Sequence, residues 1–257
     1  LGDIFKTIKK ELNEGKLVAF CGAPCQVAGL YSFLGKEYSN LFTMDFICRG
    51  MNSPKAFKSW LNEIEQLEGS KVTKVWFKYK EGGWKSSPKR TRLDFENGKY
   101  KVYEGEKNLY MHGYLTSNLY IRPCCGKCQF KGVPRKSDVT FADFWGIEET
   151  NSKIDIKKGV SAVIVNSRKG QKIFEDIQQD IIAEETSIES VTKRNLNLKR
   201  PTPFPAIRKT VYNSIDNKQY KEYTKENLHF RINPKDIIKQ VMPQKLKNTI
   251  KKTLKLL

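Results

Sequence analysis

The sequence predicts an α/β fold: a parallel-strand βαβ core, an inserted antiparallel hairpin region and a C-terminal helical tail. Three observations carry this. Over the first 68 residues, short apolar runs alternate with amphipathic stretches, the βαβα pattern that implies parallel strands joined by right-handed crossovers. Between residues 72 and 103 the apolar period shortens to two, around the turn dipeptide Asn97 and Gly98, which reads as strands and a hairpin. Near the end, Leu246, Ile250, Leu254 and Leu257 fall on one helical face ringed by lysines.

Taken in order, residues 4–13 show an amphipathic pattern and predict the first helix. The apolar run 17–20 predicts a strand, "CGAPC" a turn, and 26–34 a helix. A second apolar strand spans 41–47. It ends in "CRGMNSP", where Ser53 is placed to cap the next helix and Pro54 to take its first position, with the helix running to about Leu67. Val72, Val75, Phe77 and Tyr79 suggest a strand, and "RTRLDFENGKYKVY" the hairpin. A short helix is expected near 108–119, a buried strand over 159–167, an amphipathic helix over 168–182, and a Pro-interrupted loop from Arg194 to Pro205. The expected division is 1–193 for the folded domain and 194–257 for a basic helical extension.

A chain of 257 residues with 39% hydrophobic content can bury a sizeable core. No run of 18 apolar residues encodes a membrane span, and the start lacks the basic, apolar and cleavable parts of a secretory signal. The expectation is a cytoplasmic chain. It has no initiating Met and opens inside an amphipathic pattern, so a fragment or truncated relative of something longer is expected. The net charge is +19, and residues 199–257 hold 15 Lys and Arg against 4 Asp and Glu. Charge of this kind attracts nucleic acid, anionic lipid and anionic cofactors alike.

Six cysteines are present, and without an export signal clustered cysteines more often hold metal or do redox work than form disulfides. Cys25 and Cys48 each follow an apolar strand that feeds a helix, so both belong at the carboxyl edge of a parallel sheet, where open α/β folds bind ligands. The nearby helix N-termini favour thiolate there. "RPCCGKC" adds Cys125 and Cys128 at CxxC spacing, completing a four-thiolate set. Such a set suits zinc or an iron–sulfur cluster. Two lone, distant ligands favour the cluster over zinc, whose structural sites pair two tight knuckles. Cys21 and Cys124 are expected to be small buried hydrophobes.

The stretches "FCGAPCQVAGLYSFL", "DFICRGMNSPKAF", "RPCCGKCQFKG" and "SDVTFADFWGIEE" occur in the order and context of the coenzyme F420 hydrogenase/dehydrogenase beta-subunit family, which most of this chain resembles. The resemblance implies an oxidoreductase: an iron–sulfur flavoprotein holding FAD and a [4Fe-4S] cluster, passing electrons to or from coenzyme F420 or a related acceptor. Relatives of this shape in surface-polysaccharide gene clusters suggest a place in polysaccharide biosynthesis. Carried over by position, the cluster ligands are Cys25, Cys48, Cys125 and Cys128. Asp143, Phe144, Trp145 and Gly146, with Lys131, Gly132, Ser137 and Asp138, are implied at the flavin. Chemically, glycine admits close backbone approach, Trp145 offers a ring to stack, and Lys131 or Arg135 a cation for phosphate. "GGWKS" at 82–86 offers the same chemistry through Trp84 and Lys85 and is expected to line the same cleft.

Against the family pattern, a variant without the ferredoxin-like cysteine run and without the segment that precedes "LGDIF" is expected. Arg49 stands where many relatives carry His, so no proton-handling role is expected there. No GxGxxG is present. The resemblance implies a redox partner protein or ferredoxin-like domain. The tail reads first as a solvated or partner-docking helix, and second as a peripheral contact of 244–257 with an anionic membrane at its inner face. Nucleic acid is not expected, because the tail lacks stacking aromatics. His112 and His229 suggest no catalytic constellation. The rival reading is a non-catalytic module in which zinc or a cluster is structural and the basic surface docks a partner or membrane.

Overall fold

The computed structural model describes residues 2–228 apart from 82, 151 and 204. The expected tail helix at 244–257, His229 and Gly82 lie outside the described residues. The elements are α1 (Ile4–Asn13), β1 (Val18–Cys21), α2 (Pro24–Leu34), β2 (Leu41–Phe46), α3 (Pro54–Glu68), β3 (Val72–Phe77), β4 (Thr91–Phe95) and β5 (Tyr100–Tyr103). There follow α4 (Leu109–Leu115), α5 (Pro123–Gly126), β6 (Val139–Asp143), β7 (Ser161–Val165), α6 (Arg168–Asp176), α7 (Ile188–Arg194), α8 (Leu196–Lys199), α9 (Arg208–Ile215) and α10 (Tyr220–Asn227). The expected α/β class holds: β1, β2 and β6 run parallel, with β7 antiparallel on the edge. The inserted hairpin region is a separate antiparallel sheet, β3–β4–β5.

Three apolar clusters hold these layers. Ile8 and Leu12 of α1 pack with Val27, Leu30 and Leu34 of α2 over Phe20 and Leu41 of the parallel sheet. Trp60 and Ile64 of α3 join Leu93, Phe95, Tyr110, Tyr120, Val211 and Tyr220 in a second core beside the antiparallel sheet. Trp84, Phe144, Ile147, Ala162 and Val191 form a third at the end of β6. Among the described residues no helix is long and apolar enough to cross a membrane.

Several local expectations are corrected. Helix α2 starts at Pro24 rather than Gln26, because proline's fixed φ suits a first helical turn; Cys25 therefore sits within that turn. Ser53 takes the N-cap position of α3, but its side chain makes no capping bond; its backbone N–H instead donates to the Tyr120 carbonyl at 2.9 Å. Strand β7 is not fully buried: it is an edge strand with Ser161 and Val163 exposed. The stretch after Arg194 includes the short helix α8, whose Leu198 is buried.

Cys21 does not point into the core. Phe20 faces the α1–α2 cluster, and successive strand residues face opposite ways, so Cys21 lies on the other face and is exposed. Phe46, Phe141 and Val163 are in register across three strands on that same open face. Cys124 is exposed as well, at the start of the short helix α5, and is no buried hydrophobe.

Candidate thiol centre

The chain crosses the carboxyl edge of the parallel sheet three times. After β1 comes Cys25, after β2 comes Cys48, and after β6 come Phe144 and Trp145. The "CGKC" loop is brought to this edge by backbone pairing across more than 70 residues. Arg122 donates its N–H to the Met51 carbonyl at 2.9 Å, and Asn52 bridges Ile121. Gly50, at φ 138, lies so close to Cys125 that a Cβ there would stand 3.2 Å from the Cys125 Cβ. This is a conformation and an approach that only glycine supplies without strain.

The turn from Cys48 to Met51 points backbone N–H groups at two sulfurs. The Met51 N–H donates to Cys125 Sγ at 3.4 Å. The Gly50 N–H donates to the Cys48 thiol, which also feels the Lys131 ammonium and the neighbouring thiols Cys25 and Cys128. The structure thus gathers Cys25, Cys48, Cys125 and Cys128 into one neighbourhood. Cys48, Cys125 and Cys128 are partly buried and Cys25 is exposed. Burial pushes the Cys48 and Cys125 thiols up, against the expectation that helix termini favour thiolate at Cys48. The reason is distance: α3 begins at Pro54, and a helix dipole acts only about its first turn. Cys124 is hydrogen-bonded to the Cys125 thiol. Among the described residues, no three His, Cys, Asp or Glu side chains form a group that could hold a metal ion.

Two half-buried cations flank these thiols. Lys131 donates from Nζ to the Cys48 carbonyl and feels Cys128, Cys48 and Cys125, while burial pulls its ammonium below the ordinary value. Arg49 donates from Nη2 to the Leu115 carbonyl and Asn118 Oδ1, both at 2.6 Å, and its buried Nε has no hydrogen-bond partner among the described residues. Its guanidinium lies 5.9 Å from the Tyr114 ring centre. Tyr114 donates to the Gly50 carbonyl, and burial pushes its hydroxyl up to about 12.

The residues expected at a flavin fall in three places. Lys131 and Gly132 stand in the loop beside the thiols, where the Gly132 N–H donates to the Leu198 carbonyl. Ser137 and Asp138 are buried at the start of β6. There Asp138 accepts from the Thr43 N–H at 2.7 Å, the Thr43 hydroxyl at 2.9 Å and the Ser167 hydroxyl at 2.6 Å. Arg135 pairs with the buried Asp45 at 2.9 Å instead of facing outward.

The third place is the corner after β6. Asp143 accepts from the Trp84 indole N–H at 3.2 Å and pairs with Lys78 at 2.7 Å. The Trp84 and Trp145 rings stack at 4.5 Å with 8° between planes, and Lys85 pairs with Glu148 at 3.0 Å. Trp84 thus meets the Asp143–Trp145 stretch, and Lys85 reaches Glu148 just beyond it. Sequence reasoning missed Gly50 and the two N–H···S bonds; the glycine two positions after Cys48 was the available signal.

No curated protein matches the chain. A family model does match over residues 15–191, that of the C terminus of the coenzyme F420 hydrogenase/dehydrogenase beta subunit. This span holds all four thiols and the Trp84–Trp145 corner, and it is a family of oxidoreductase subunits. The chain belongs to this coenzyme F420 hydrogenase/dehydrogenase beta-subunit family, by its C-terminal domain.

Proposed function

We propose that this chain is the iron–sulfur module of an oxidoreductase, with Cys25, Cys48, Cys125 and Cys128 as the ligands of a [4Fe-4S] cluster that relays single electrons. The observation that carries this reading is the pair of backbone N–H groups, from Gly50 and Met51, donating to the sulfurs of Cys48 and Cys125. Hydrogen bonds to cluster sulfurs are a main protein lever on such centres. Thiolates on one zinc lie about 2.3 Å from it and crowd together, whereas a four-iron cluster takes one thiolate per iron at separate corners. The support in this chain for four ligands is the shared neighbourhood of the thiols around Cys48.

The chain's own part is to hold and shield. The Cys48–Met51 turn fixes two sulfurs, the Arg122–Met51 pairing fixes the "CGKC" loop, and half-burial of three thiols limits water. The choice of Cys125 over Cys124 rests on its contact with Gly50 and Met51, since both thiols are close at hand.

FAD is implied by the family. The residues assigned to it are parted among three places, and the polar groups of Asp143, Lys85 and Asp138 are satisfied within the chain. As they stand they do not cradle an isoalloxazine, and no electron step is assigned to a flavin. Coenzyme F420 or a related acceptor, a redox partner protein, and a place in surface-polysaccharide synthesis follow from the family reading alone.

Anaerobic purification with metal, sulfide and flavin analysis tests the proposal. Four irons and four sulfides per chain with a broad visible band support it. One zinc per chain in a colourless protein overturns it in favour of the structural, partner-docking reading. Stoichiometric FAD would restore the flavin to the site.

A further inference from the structure

Lys131 is half-buried, and among the described residues no carboxylate pairs with it, although 15 ion pairs are formed elsewhere. Its hydrogen bond goes to a neutral carbonyl, that of Cys48. Arg135, four positions further along the same loop, is neutralised by Asp45. The charges around Lys131 are the thiols of Cys128, Cys48 and Cys125 and the guanidinium of Arg135. A buried ammonium without a counter-charge is costly. Among these neighbours the thiols, once ionised by a bound group, are the source of negative charge.

Resting on the cluster reading above, we infer that Lys131 is a positioning residue of the thiol centre: the fixed counter-cation that stabilises its more reduced, more negative state, rather than a flavin-phosphate ligand. A nearby positive charge favours the state with one more electron, so its removal makes the centre harder to reduce.

The test is a midpoint potential, read by EPR-monitored redox titration on the anaerobically reconstituted full chain. Wild type, Lys131→Met and Lys131→Arg are compared. Lys131→Met is expected to lower the reduced-to-oxidised ratio tenfold at the wild-type midpoint, a shift of about 59 mV for a one-electron couple. Lys131→Arg, which keeps the charge, is expected to hold the wild-type ratio. A Lys131→Met centre with the wild-type midpoint overturns the inference and leaves the cluster reading standing. If Lys131→Met loads no iron, a Lys131→Arg protein that loads and titrates as wild type supports the counter-cation, while one that also fails makes Lys131 a scaffold residue and overturns it. A wild-type chain that takes up no iron and sulfide overturns the cluster reading, and this inference with it.

Discussion

The thiol edge and the tryptophan corner share one edge of one sheet, yet they treat their polar groups in opposite ways. At the corner the charges beside the rings have partners of their own: Asp143 with Lys78 and Trp84, Lys85 with Glu148, Glu149 with Lys193 and Arg194. Its two indole rings are spent on each other. At the thiol edge, N–H groups point at sulfur, and among the described residues Arg49 Nε is orphaned and Lys131 has no carboxylate. Buried polar groups are normally satisfied, so a site that leaves several wanting is shaped around something further. A corner that satisfies itself is shaped by packing.

The largest effect that would break this contrast is loss of the bound group. Cys25→Ser or Cys128→Ser is expected to abolish iron uptake, and Cys124→Ser to retain it, as read by iron and sulfide content. If Cys124→Ser is the damaging change, the assignment within the trio is wrong.

Next come two glycines, one in each region. Gly50→Ala would set a Cβ 3.1 Å from Ile121 and 3.2 Å from Cys125 at φ 138. Gly159→Ala would set one 2.8 Å from the Trp84 ring at φ 96. Each is expected to cost about 1–3 kcal/mol of stability by crowding and backbone strain, measured by denaturant unfolding. Only Gly50→Ala should also lower iron content, because it displaces the turn that holds two sulfurs. Equal iron loss in both would erase the distinction between the regions.

The smallest effect is a pH dependence at the corner, read in a Trp76→Phe background because Asp94, hydrogen-bonded to Trp76, is also held below its ordinary value. The backbone N–H of Glu148 and the Lys85 ammonium hold the Glu148 carboxyl below its ordinary value of 4.5. Lys193 and Arg194 do the same for Glu149. Depressed carboxyls contribute stability above the unfolded value and lose it as pH falls through the lower folded value. Tryptophan emission from the Trp84–Trp145 pair is therefore expected to change first below pH 4.5, by a small amount because both carboxylates are solvent-exposed. A change centred at neutral pH would contradict these ion pairs.

Much of the fold is legible in the chain. The helix at 4–13, the strands of the parallel core and the hairpin around Gly98 announce themselves through apolar period and turn residues. Cys25 and Cys48 are readable as strand-end thiols for the same reason. The direction of Cys21 is not, because a strand of four residues does not reveal which of its faces a helix will cover.

What the sequence by itself determined is local: where strands and helices run, and that four thiols fall at turns after strands and in one CxxC. Tertiary structure alone decided that Cys48 is half-buried and its thiol pushed up, that Cys124 is exposed, and that Trp84 stacks on Trp145 across 61 positions. It also decided that Lys131 reaches back 83 positions to Cys48. Period and turn chemistry are set by neighbours within a few residues, whereas burial and charge pairing depend on which distant segments close upon one another, and no local pattern encodes that.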